Sequence, residues 1–387
     1  MMEETIYLDN NATTKLDPRV LEAMLPYLTD SYANAASNHQ FGILVNDAVK
    51  EARKKVANLI SAESNEIIFT SGATEAINLA IKGVAENYVN KGKHIISVPT
   101  EHSAVLDVLR YLEKKGYQIT YLPVNREGLL ELETLRESLR KDTILVIVMF
   151  VNNEIGVIQP IKDIAKITHE NGSIFMSDAT QAVGKIPIDV NDLGIDLMSF
   201  SGHKFYGPKG VGALYVRSRR PNKVSLSPLI HGGGHERGYR SGTLNVPGIV
   251  GLGKAAELAV QEMENNSVRI KKLRDHLESE LLKIKHTFLN GHKTNRLYNI
   301  SNICFKGVDA DAIMTGMKNI AISNGSACTS MKVEPSHVLK AIGIKDDEAY
   351  SSIRFSLGKF NTIEDINKTI TTLHHQVTLL RKLSVDY

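Results

Sequence analysis

From Glu66 to Val216 the chain repeats one pattern: a short apolar run, a turn of small polar residues, then an amphipathic stretch. The apolar runs are Glu66–Thr70, Ile95–Val98, Gln118–Leu122, Ile144–Phe150, Ile174–Ser177, Asp196–Met198 and Val211–Val216. Helical spacing falls between them, over Ala76–Val84, from His102 to Lys114, over Leu130–Leu139 and over Ile161–Glu170. Ile144–Phe150 is apolar without a break, as a strand buried on both faces must be. Strands alternating with helices over this length predict an α/β fold with a mostly parallel sheet. In such sheets ligands bind beyond the carboxyl ends of the strands. That rule selects Ser71–Thr74, His102, Asn152–Glu154, Asp178–Gln181 and Ser201–Lys204 as candidates.

Ahead of this block, Pro18–Leu28 has helical spacing with Asp17 as N-cap, and Pro26 is expected to end the helix early. Ile43–Ile60 is an amphipathic helix. Past Gly253 the texture changes. Lys254–Ile284 reads as a long charged connecting helix. Strand-like pieces (Asn299–Phe305, Ile353–Leu357) and helices (Asp309–Met317, Ile363–Leu383) follow. A chain of 387 residues is long for one core. The expected division is a large domain over 15–255 and a small α+β domain built from 1–14 and 256–387.

Charge and cysteine content exclude several classes. The chain has 46 basic and 43 acidic residues, so no bulk attraction to nucleic acid or an anionic membrane is expected. The longest apolar stretch, Ile144–Val151, is far too short to span a bilayer. Met1–Ile6 is acidic and carries no secretory signal pattern. Two cysteines in a chain this long form no disulfide framework, which points to a reducing compartment, the cytoplasm.

Several residues carry chemistry, each beside a plainer reading. Lys204 lies in Ser199–Pro208, between two apolar runs; it is either a surface turn or a desolvated amine with a lowered pKa. Ser71-Gly72-Ala73-Thr74 is either an N-capped helix start or an anion site. Asp178 and Lys204 are either an ion pair or the carboxylate and amine that pyridoxal phosphate (PLP) requires. His102 either opens a helix or works on a bound ring, and Asn153 and Gln181 are loop amides or cofactor contacts. Arg354 sits inside a strand-like run and either forms an internal pair or clamps a carboxylate. Cys304 has apolar neighbours and reads as core. Cys328, among small polar residues in Ser323–Ser330, is a candidate reactive thiol on a mobile loop, or an inert one. His231-Gly-Gly-Gly-His235-Glu236 is neither a metal site nor an esterase oxyanion hole. The glycines oppose the helix that would align the histidines, and no Gly-x-Ser-x-Gly elbow exists.

Taken together these motifs resemble the cysteine desulfurases of the class V aminotransferase group, in the long-loop branch of iron–sulfur assembly and nitrogen fixation. The resemblance runs from Tyr7–Thr14 to Ser351–Gly358. Its most specific parts are Thr70–Glu75, Val151–Gly156, Asp178–Gln181, Ser201–Lys204, Arg240–Thr243 and Gly325–Ser330. It implies a fold-type I PLP-dependent transferase with a seven-stranded-type sheet, acting as a homodimer. Lys204 would hold PLP, Asp178 would pair with the pyridine nitrogen, Gln181 with the ring hydroxyl, and Asn153 would add a contact. Ala73, Thr74, Ser201 and His203 would bind the phosphate, joined by Thr243 of the neighbouring subunit. His102 would stack on the ring and assist proton transfer, while Arg354 and Asn34 would hold the substrate carboxylate. The implied reaction converts L-cysteine to L-alanine and leaves sulfur on Cys328 as a persulfide. An acceptor such as an iron–sulfur scaffold protein then takes it. No metal is implied, although Cys328 could transiently ligate an iron–sulfur cluster. Selenocysteine lyases and aminotransferases are the alternative within the group. The chain departs from many relatives at Asn34-Ala35-Ala36, where proline often stands second, and it ends at Tyr387 without a longer tail. The acceptor is therefore open among iron–sulfur assembly, tRNA thiolation and DNA phosphorothioation.

Overall fold

The computed structural model describes residues 5–219, 222–324 and 334–383. In chain order the first half runs β1 (Ile6–Tyr7), α1 (Pro18–Met24), α2 (Gln40–Leu59), β2 (Ile67–Thr70), α3 (Ala73–Asn87), β3 (His94–Ser97), α4 (Ser103–Glu113), β4 (Gln118–Tyr121), α5 (Leu132–Ser138), β5 (Thr143–Ile147), α6 (Ile161–Glu170), β6 (Ile174–Asp178), β7 (Leu197–Ser201) and β8 (Gly212–Val216). There follow α7 (Val246–Leu281), β9 (Thr287–Leu289), β10 (Ile300–Phe305), α8 (Ala310–Gly316), β11 (Ile320–Ala321), α9 (His337–Ala341), α10 (Asp346–Tyr350), β12 (Ser352–Ser356) and α11 (Ile363–Leu383).

Seven strands form the central sheet, in the order β2-β8-β7-β6-β5-β3-β4. Only β8 runs against its neighbours; the other pairings are parallel. Strands β2, β3, β5, β7 and β8 are buried along their whole length. This is the signature of a sheet covered by helices on both faces, and it explains the unbroken apolar runs. One core cluster packs α2, α6 and the first half of α7 against one face, and another packs α3 and α4 against the other.

A second sheet, β12-β10-β9, is antiparallel and lies with α8 and α11 over a third core cluster. That cluster also contains Ile6 and Leu8, because β1 pairs in parallel with β11. The N-terminal segment thus belongs to the same core as residues three hundred positions later.

Two sequence expectations need correction. The long helix begins at Val246 and not at Lys254; Asn245 caps it by accepting from Gly248 N, and Pro247 fits its first turn. Its opening residues lack charge because they cross α2 closely: a Cβ on Gly253 would stand 2.6 Å from Ala52 Cα. Apolar small residues there are packing, and the helix stays in the large core past Gly253, through Ala255, Ala256 and Leu258. Second, Ser199–Ser201 extends β7 and is no part of a turn. Each of the three residues pairs with β8. Among the described residues, no helix is long and apolar enough to cross a membrane.

Candidate active site

The turn that carries Lys204 starts where β7 ends. Gly202–Lys204 form one 3₁₀ turn, closed by Phe205 N and Gly207 N donating to Gly202 O at 3.1 and 2.9 Å. Phe205 is buried in the large core and pins the turn from behind. Lys204 Nζ donates to the carbonyls of Asn11 and Ala12 at 2.7 and 2.8 Å. Those residues lie on the N-terminal strap, which Thr14 ties down by donating N–H and O–H to His203 O. Lys204 is therefore a held, half-buried amine and not a solvated surface lysine.

Asp178 ends β6, the next strand of the sheet, and pairs in register with Ser199. It is buried. Its Oδ1 accepts from Thr180 N at 3.0 Å, from the Thr180 hydroxyl at 2.5 Å and from the Ser199 hydroxyl at 3.4 Å. Oδ2 has no hydrogen-bond donor among the described residues. The carboxylate is thus oriented by one oxygen and leaves the other to accept a proton-bearing nitrogen.

His102 follows β3 and caps α4, its Nδ1 accepting from Ala104 N at 3.1 Å. A neutral ring in this arrangement carries its proton on Nε2. Burial lowers its pKa, the charges of Lys204 and His337 add to this, and Asp178 opposes it. Behind it Glu101 is fully buried, with Oε1 accepting from Met149 N and Oε2 unpartnered among the described residues. Burial and the Asp178 charge push the Glu101 carboxyl well above its ordinary range.

Gly72 occupies the N-cap of the fifteen-residue α3, and no side chain caps the helix. Its first-turn amides include those of Ala73 and Thr74, which makes this end an anion cradle. The cradle sits tight against the sheet: a Cβ on Gly212 would lie 2.7 Å from Gly72 Cα. Ser201, at the end of β7, is buried beside it, its hydroxyl 3.4 Å from Val211 O. His203 Nδ1 contacts the Thr13 hydroxyl at 3.1 Å. Burial, reinforced by Lys204, Lys209 and Lys185, lowers its pKa to about 4, so its ring is neutral at pH 7.

Other expected residues sit at graded distances from this group. Gln181 is buried and donates to Asn11 O at 2.9 Å. The Asn153 carbonyl accepts from Asn11 Nδ2 and from Arg354, while its own amide has no hydrogen bond among the described residues. Arg354 is buried in β12 and pairs with Asp9 at 2.7 Å; its Nε is unpartnered among the described residues. Asn34 is exposed, accepts from Ala36 N, and does not bond Arg354. Thr243 is exposed and has no hydrogen bond within its own chain's described residues; Arg240, three positions earlier, pairs with Glu75 in the first turn of α3. Cys328 lies outside the described residues. Cys304 is buried, and burial pushes its thiol up to about 12.

Asn11 and Glu236 also shape this region, although neither stands out in the sequence. Asn11 is buried and joins the strap to both sheets, through Asn153, Gln181 and Lys204 on one side and Ser356 on the other. Within Asp9–Thr14 it is one polar residue among several, and nothing local marks it as buried. Glu236, at the end of the glycine-rich segment, is buried. It accepts from both terminal nitrogens of Arg53 at 2.7 and 2.6 Å and from Phe69 N at 2.8 Å. An acidic residue after three glycines gives no sequence signal of burial.

The donor set fits PLP. An amine, a carboxylate with one oxygen left open, an uncapped helix start for a phosphate and an unengaged amide at Asn153 meet at one sheet edge. Fold and site together define a PLP-dependent enzyme of the α/β type. The chain belongs to the class V aminotransferase family: the family model described as Aminotransferase class-V matches residues 6–369. It is 52% identical over 385 residues to the cysteine desulfurase IscS of Dechloromonas aromatica (strain RCB), covering 99% of this chain and 95% of that one. Among solved structures, a NifS-like protein is 39% identical with a TM-score of 0.91, covering 97% of this chain and 100% of that one. SspA in complex with cysteine is 39% identical with a TM-score of 0.82, covering 92% and 100%.

Proposed function

We propose that this chain is a cysteine desulfurase, converting L-cysteine to L-alanine and passing the sulfur through Cys328 to an acceptor. The observation that carries the reading is the meeting of Lys204, Asp178 and His102 at one sheet edge, in a chain half identical to a cysteine desulfurase over nearly its whole length. Lys204 Nζ would hold PLP covalently. Asp178 Oδ2 would accept the proton-bearing pyridine nitrogen, Gln181 would face the ring hydroxyl, and Asn153 would add an amide contact. Ala73 and Thr74, with Ser201 and His203, would bind the phosphate; Thr243 from a partner subunit would complete that site in a homodimer. When bound, PLP supplies an electron sink for charge developing at the substrate Cα.

The chain's own groups then have separate tasks. Arg354 would bind the substrate carboxylate by exchanging Asp9 for it, with its unpartnered Nε as the added donor and Asn34 as a further contact. Lys204 Nζ, once displaced by the substrate amine, would take the Cα proton and later return it. His102 would hold and pass a proton at Nε2, the nitrogen its helix-cap bond leaves protonated. Cys328, as a thiolate, would attack the substrate sulfur. An S–S bond forms as the C–S bond breaks. The electron pair of the broken bond stays with the carbon fragment, which takes up a proton and leaves as alanine.

The reading extends to the chain's organisation and setting. Residues 15–255 would act as the cofactor-binding unit. Residues 1–14 with 256–387 would form the smaller unit, in line with the shared core of Ile6, Leu8 and the β10–β12 sheet. We place the protein in the cytoplasm, handing sulfur to a protein acceptor such as an iron–sulfur scaffold. Incubation of the PLP-loaded protein with L-cysteine tests the core claim. Alanine should form, and Cys328 should gain the mass of one sulfur, removable by reductant. Cys328→Ala should keep the bound-PLP absorbance and lose alanine formation; undiminished alanine formation would refute the persulfide route.

A further inference from the structure

One more lysine is buried at this edge of the sheet, with no task in the reaction above. Lys185 lies four residues past Gln181 and is 5% exposed. Its Nζ donates to Gln181 Oε1 at 2.6 Å, and among the described residues it has no other hydrogen-bond acceptor and no carboxylate in ion-pair range. Burial lowers its pKa to about 7, and the charges of Lys204 and Arg354 add to this. It also lines a small cavity with Asp17, Tyr206, Glu262, Tyr298 and Lys359. The two carboxylates there are already engaged, by Lys359 and Arg19. A buried ammonium whose one acceptor is a neutral amide is unfavourable, and packing alone would be served as well by methionine.

The bond has a geometric consequence. Gln181 has one amide oxygen, and Lys185 occupies it. Its Nε2 must then carry the donors, and one N–H goes to Asn11 O at 2.9 Å. A flipped amide would set oxygen against oxygen at Asn11 and N–H against ammonium at Lys185. The second N–H of Nε2 is left to point elsewhere. We propose that Lys185 is a positioning residue: through Gln181 it directs that N–H at the phenolic oxygen of PLP, and its charge favours the anionic form of that oxygen. This rests on the reading of Gln181 as the ring-hydroxyl contact.

The test is the pH titration of the bound-PLP absorption band, together with the affinity of the apoprotein for PLP, in the full chain. Lys185→Met should raise the band's midpoint by about one pH unit and weaken PLP binding by about tenfold. Gln181→Leu should raise the midpoint as well, and adding Lys185→Met to it should change the midpoint little further. A role confined to packing would lower the melting temperature and leave the midpoint in place. No shift in Gln181→Leu overturns the Gln181 reading and this proposal with it. A shift in Gln181→Leu but none in Lys185→Met overturns the role of Lys185 alone. Equal shifts from Lys185→Met in both backgrounds overturn the route through Gln181. Should Lys185→Met not fold, Lys185→Gln keeps a donor without the charge; a smaller upward shift is expected, and none overturns the proposal.

Discussion

If Lys185 is held in place for the cofactor and not for the fold, removing it should stabilise the apoprotein. Its pKa falls from an ordinary 10.5 to about 7 in the folded chain. Each unit is about 1.4 kcal/mol, so the folded state disfavours the charged lysine by about 5 kcal/mol when both states are protonated. The sign follows from proton counts. Below about pH 7 the folded and unfolded chains both carry the proton, and the penalty is complete. Between about 7 and 10.5 the unfolded chain binds more protons, so the parent gains stability at about 1.4 kcal/mol per pH unit. Above about 10.5 the penalty is gone. Lys185→Met deletes it but also deletes the bond to Gln181, worth about 1.5–3 kcal/mol for a charged donor. The net expectation is an apoprotein about 2–4 kcal/mol more stable than the parent near pH 6. The difference should shrink, then reverse, as pH rises towards about 10. Denaturant unfolding of both apoproteins across this range measures it. A Lys185→Met apoprotein that unfolds more readily than the parent near pH 6 would refute the argument, because the lysine would then be supporting the fold.

Three further outcomes follow from the geometry. Glu236→Ala leaves the Arg53 guanidinium and Phe69 N without their acceptor, and should cost about 3–5 kcal/mol in denaturant unfolding; a loss below about 1 kcal/mol would mean that Arg53 finds solvent. His102 gains its second proton only below its ordinary value near 6.5, so any acid limb of alanine formation due to it lies below that pH; a limb above 6.5 that disappears in His102→Gln contradicts this. In Asp178→Asn one amide oxygen still accepts from Thr180 and Ser199, so the fold should persist while alanine formation falls by about 100-fold or more. Circular dichroism and single-turnover alanine assays separate the two effects, and near-parent turnover would remove Asp178 from the cofactor site.

How much of this was legible in the sequence depended on the range of the interaction that decides each feature. The central sheet could be read because both faces of its strands are buried, and continuous apolar runs such as Ile144–Phe150 record that locally. Lys204, Asp178 and His102 could be selected because the sheet rule places strand ends together without any knowledge of strand order. The start of α7 does not show in the sequence, because the charge that marks the rest of the helix is absent there. Its first two turns are instead apolar and small where they meet α2 at Gly253. Glu236, Asn11 and Lys185 were missed for a related reason. Glu236 is held by Arg53 and Asn11 by Ser356, each more than a hundred positions away, while Lys185 bonds only the nearby Gln181 in a stretch that the rest of the chain buries. A charged or amide side chain buried by distant partners looks, in its own neighbourhood, like any loop residue. Such residues are also held in place against the ordinary preference for apolar cores. A lysine that stays buried against Gln181 is therefore better evidence of a task there than a glycine-rich turn is, although the turn is what the sequence displays.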